Sequence, residues 1–86
     1  MSQYMKKTNY LEFEMFLGNI PQIEKDNAIQ NYQFIICRES VPKHPFMNWC
    51  VYEPIEDSPE NLKAIVRNLE HVKLFVESLL NSYKHD

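Results

Sequence analysis

Apolar and charged positions alternate near the start of the chain through Leu11, Glu12, Phe13, Glu14 and Met15, and Leu17 continues the odd-numbered apolar set. Period two is the signature of a strand with one face buried, so residues 11–17 are expected to be extended. The rival is a short helix capped by Thr8 and ended by Gly18, which the Leu, Glu and Met residues favour. From Gly18 to Gln30 the pattern fades into Pro21, Asp26 and two asparagines, the composition of a connection with room for one helical turn at Pro21.

Two runs then stand out, Asn31–Ser40 (NYQFIICRES) and Phe46–Ile55 (FMNWCVYEPI). Both are rich in aromatic and β-branched residues and read as strands. Pro42 and Pro45 between them cannot donate to a ladder and therefore belong to the loop. A loop of Pro42 to Pro45 sets Glu39 against Asn48, Cys37 against Cys50 and Ile35 against Tyr52. The opposite face then carries Phe34, Ile36, Met47, Trp49 and Val51 and is the expected core side. A shift of one residue in either strand would exchange the faces.

The last segment reads as a helix. Ser58-Pro59-Glu60 offers a capping serine, a proline at the first helical position and an acid in the first turn. From Leu62 through Ile65, Val66, Leu69, Val72, Val76, Leu79 and Leu80 to Tyr83, apolar residues recur every three or four positions. That stripe predicts a helix of about seven turns over Pro59–Tyr83. The expected fold is α+β, a three-stranded antiparallel sheet packed on one long C-terminal helix in the order β-β-β-α. Residues 1–86 form a single small domain in this reading, with 1–7 a flexible N-terminal tail. Its core gathers Phe34, Ile36, Trp49, Leu69, Val72 and Val76.

Composition narrows the function. A formal net charge of −3 and scattered Lys and Arg, with Lys6-Lys7 the one adjacent pair, oppose a phosphate-binding surface, so no nucleic-acid partner is expected. The single glycine, Gly18, excludes the Gly-rich phosphate loops. No apolar run follows the two lysines and none nears the roughly 20 residues that span a bilayer, so a soluble, cytoplasmic chain is expected.

The residues that could carry chemistry are few. Cys37 and Cys50 face one another across the expected hairpin, which would suit a thiol pair or half a metal site. Zinc sites generally draw on closely spaced Cys and His pairs, and no C-x-x-C occurs; His44, His71 and His85 share no pattern with the cysteines. Buried, inert cysteines are the plainer reading. No catalytic residue, metal ligand or cofactor is assigned. Glu53, Glu56, Asp57 and Glu60 cluster around the start of the expected helix, where acids offset its positive end.

One helix covers one sheet face, and the other is expected to be bare. With the first strand joined, that bare face shows Tyr10, Glu12, Glu14, Phe16 and Tyr52, an aromatic patch suited to a protein partner, basic in character. The competing arrangement covers this face with the segment from Gly18 to Gln30. On the helix, Leu74 and Phe75, near His71 and Ser78, leave apolar surface away from the core stripe and suggest self-association as a homodimer. The sequence thus suggests a small acidic, non-catalytic binding module of the inhibitor, immunity, antitoxin or regulatory-subunit kind. A homodimeric accessory subunit comes next, and a thiol or metal protein using Cys37 and Cys50 is remote.

Overall fold

The computed structural model describes residues 8–84. The expected tail over residues 1–7, with Lys6-Lys7, and His85 lie outside the described residues. The architecture is α+β, with a four-stranded antiparallel meander between two helices. A short helix α1 (Phe13–Asn19) comes first, then strands β1 (Ile29–Asn31), β2 (Phe34–Arg38), β3 (Trp49–Tyr52) and β4 (Leu62–Val66), then helix α2 (Leu69–Tyr83). Sheet order follows chain order, which places β1 and β4 at the edges.

The β2–β3 hairpin has the expected register, with Ile35 opposite Tyr52 and Cys37 opposite Cys50. Phe34, Ile36 and Val51 face α2, where they pack with Val72 and Val76. Trp49 is only half-buried there, beneath the Arg38 guanidinium 5.5 Å from its ring centroid. Met47 and Leu69 lie exposed and leave the expected core.

Three expectations are corrected. Residues 13–19 are helical. Phe13, Phe16, Leu17 and Ile20 recur at three- and four-residue spacing, and that row, not the alternation, packs on the sheet. Residues 62–66 form β4 instead of the first turns of the C-terminal helix. The chain turns with Ser58 N–H donating to Ile55 O (2.7 Å) and Asn61 N–H to Ser58 O (3.1 Å), and Glu53 N–H to Asn61 O (2.9 Å) starts the new ladder. Asn68 is the true cap of α2, its side-chain oxygen accepting from His71 N–H at 3.0 Å. A fourth strand, β1, is added where only a connection was expected, paired to β2 through a tight turn in which Tyr32 takes φ 57°.

The consequence is a sheet covered on both faces. Phe16, Ile20 and Ile23 close over Ile35, Cys37, Cys50 and Tyr52, forming a second core that the three-strand reading left bare. Ile23 also bridges to Glu39, and Glu24 N–H donates to Arg38 O (2.8 Å), so this segment is tied to the sheet's rim.

Candidate functional site

One carboxylate organises the end of the sheet where the β3–β4 turn lies. Glu53 follows β3 and is 5% exposed, the one charged side chain buried among the described residues. Its Oε2 accepts from the Tyr10 hydroxyl (2.8 Å) and its Oε1 from the Tyr83 hydroxyl (2.9 Å), with Lys63 Nζ 3.8 Å away. Tyr83 also stacks on Phe34, with centroids 6.5 Å apart. The segment before α1, the end of α2 and β4 therefore converge on one acceptor. Burial first, then the hydrogen bond to Glu53 and its charge, push the Tyr10 and Tyr83 phenols up to about 12. Glu53 is thus not part of an exposed acidic cluster; Glu56, Asp57 and Glu60 are exposed.

The expected partner-binding residues are dispersed. Phe16 is fully buried and Tyr52 is 8% exposed, their rings 5.1 Å apart and tilted by 56° in the second core. Neither offers an open anchor, because α1 occupies the face they were expected to display. Tyr10 is turned to Glu53, while Glu12 precedes α1 and Glu14 lies in its first turn, both exposed. His71, Leu74 and Ser78 are exposed on α2, and Phe75 is half-buried against the first core.

Cys37 and Cys50 are free and buried. Burial pushes the Cys37 thiol up to about 12, helped by Cys50 and Glu39, and the Cys50 thiol up to about 11. Both are overwhelmingly protonated near neutral pH, the opposite of an activated nucleophile. Among the described residues no three His, Cys, Asp or Glu side chains gather where a metal ion could sit, and no helix is long and apolar enough to cross a membrane.

One further surface was not anticipated from the sequence. The β2–β3 loop is longer than its four-residue expectation and exposes Val41 (78%), Phe46 (72%) and, less fully, Met47. Pro42 and Pro45 restrict its backbone. Ser40 N–H donates to Gln22 O (2.9 Å), and Glu39 accepts from Lys43 N–H (3.4 Å). Beside the loop opens a cleft of about 280 Å³ lined by Ile20, Pro21, Ile23, Val41 and Tyr52, with Gln22, Glu39, Lys43 and Glu60 as its polar lining. The clue lay in the sequence as two prolines flanking Lys43 and His44, with an aromatic residue following. No protein-family model, curated protein or solved structure matches this chain.

Proposed function

We propose that the chain is a non-catalytic protein-binding module that acts by stoichiometric occupancy of another protein, through the β2–β3 loop and the cleft beside it. The observation that carries this reading is the joint exposure of Val41 and Phe46 on a proline-restricted loop. Large apolar side chains held in a restricted backbone lose little entropy on binding and make efficient anchors. The cleft is suited to one inserted side chain; it is smaller than the usual 300–1,000 Å³ of small-ligand pockets.

Charge narrows the partner. Two carboxylates, Glu39 and Glu60, line the cleft with one lysine, Lys43, above a floor of Tyr52 and aliphatic side chains. A lysine or arginine from the partner would lay its methylene stem on that floor and its head among the acids. An overall charge of −3 would steer such a basic surface toward it. Cys37 and Cys50 serve as packing residues in this reading, since their protonated thiols favour no chemistry.

The test is affinity capture from the native cell with wild type and the double variant Val41→Asp, Phe46→Ala. Both positions are exposed, so the melting temperature should hold. A protein retained by wild type and lost by the variant supports the loop as the contact. A partner retained equally by both moves the contact elsewhere.

A further inference from the structure

The cleft beside the β2–β3 loop holds more negative charge than it neutralises. Glu39 and Glu60 line it with one cation, Lys43. Among the described residues the ion pairs are Arg38 with Glu24 and Lys63 with Glu53, so neither cleft carboxylate is paired there. Glu39 is half-buried, and its carboxylate accepts, among the described residues, only the backbone N–H of Lys43 at 3.4 Å.

Both charges are felt at one buried atom behind the floor. Burial raises the Cys50 thiol most, the Glu39 charge raises it further, and Lys43 acts in the opposite direction. Cys50 packs with Tyr52, Ile20 and Ile23, which also line the cleft. The Glu39 carboxylate and the Lys43 ammonium therefore stand over the same floor without closing on each other.

We infer, resting on the protein-binding reading above, that the side chain this cleft takes is an arginine of the partner, and that Lys43 competes with it for the two carboxylates. A guanidinium is a planar cation with five N–H donors in its plane. One edge would face Glu39 and another Glu60, while its flat surface lies on the Tyr52 ring. An ammonium is compact and more strongly hydrated, and it has no flat surface to lay on the ring. Two carboxylates above an aromatic floor thus favour arginine over lysine. Lys43 works against either cation, because it halves the negative charge that an incoming side chain meets. It sits on the same loop as Val41 and Phe46, so affinity is held down from within the contact itself. Neutralising residue 43 strengthens the complex.

The test is an NMR titration of the full chain, labelled with heavy nitrogen, against N-acetyl-arginine methylamide and its lysine and citrulline counterparts. Amide shifts are expected at Ile20, Val41 and Tyr52. The arginine probe should bind about tenfold more tightly than the lysine probe, and the uncharged citrulline probe not at all. Lys43→Met keeps an unbranched stem and should tighten the arginine probe about fivefold; Glu60→Gln should weaken it about as much, and Glu39→Gln should act in the same direction. Lys43 and Glu60 are exposed, and melting curves will show that the variants fold. Equal affinity for the arginine and lysine probes would overturn the choice of arginine. An affinity unchanged or lowered by Lys43→Met would overturn the competition, and shifts that avoid the cleft would overturn both. The Val41→Asp, Phe46→Ala variant tests the protein-binding reading separately. A partner lost with that variant, together with a cleft indifferent to the arginine probe, would leave that reading standing and remove the arginine site alone.

Discussion

Replacing Glu53 by alanine should lower stability by about 2 kcal/mol, and the composition of that figure is what makes it informative. Hydrogen bonds to a charged acceptor contribute about 1.5–3 kcal/mol when both partners are dry. Tyr10 and Tyr83 are each 40% exposed, so their hydroxyls regain water and about 1 kcal/mol apiece is the appropriate value. The buried methylenes of Glu53 add about 1 kcal/mol and the Lys63 pair about 0.5 kcal/mol or less. Relief of the carboxylate's desolvation acts in the opposite direction. For a domain of this size the net figure corresponds to a fall of about 8–16 °C in Tm. Calorimetry of Glu53→Ala, Tyr83→Phe and the double variant supplies a cycle, whose expected coupling is about 1 kcal/mol. Glu53→Gln separates charge from shape, and a loss of about 1 kcal/mol is expected. A Glu53→Gln protein as stable as wild type, or a Tyr83→Phe cost unchanged in the alanine background, would refute the carboxylate's role as a tie.

Three further outcomes follow from the fold. Phe16→Ala should cost about 3–5 kcal/mol, measured by urea unfolding, because Phe16 is fully buried over Tyr52; a cost near zero would mean that face is open. Stability should be full below pH 9 and fall as the pH rises, first as the Cys37 and Cys50 thiols titrate in the unfolded chain. The fall should steepen between pH 10 and about 12 through Tyr10 and Tyr83, since the folded state holds these protons more tightly than the unfolded one. Tyr83→Phe should flatten the upper part of that profile, and a urea midpoint flat to pH 12 would contradict it. Asn68→Ala should cost about 1 kcal/mol through loss of the α2 cap, whereas Ser58→Ala should cost little; the reverse order would return the helix start to Pro59.

The hairpin was legible because two prolines bracketed its loop and the flanking runs were β-branched and aromatic, which fixed both pairing and faces. Ile65 and Val66 misled because their spacing from Leu62 and Leu69 fits a helix as well as the end of one element and the start of another. Two adjacent β-branched residues followed by Asn68 were the signal that favoured a strand and a cap. Around α1, charge alternation at Glu12 and Glu14 masked the row Phe13, Phe16, Leu17 and Ile20. β1, with three residues, is too short for any period. The loop was expected at Pro42 to Pro45 and instead runs over residues 39–48; its exposure depends on α1 and the 20–23 segment folding over the neighbouring face, a long-range event.

Tyr10 and Tyr83 share an acceptor although they stand at opposite ends of the described chain, and this makes the molecule close to a ring in its connectivity. The two backbones can be separated by no more than two phenol lengths and a carboxylate, roughly 20 Å, which about six extended residues would bridge. New ends could then be opened at Lys43-His44, in the exposed β2–β3 loop. Such a permuted chain would keep both layers of side chains on the sheet and the bonds at Glu53. It would join the two helices directly and divide the meander into two hairpins, β3–β4 first and β1–β2 last.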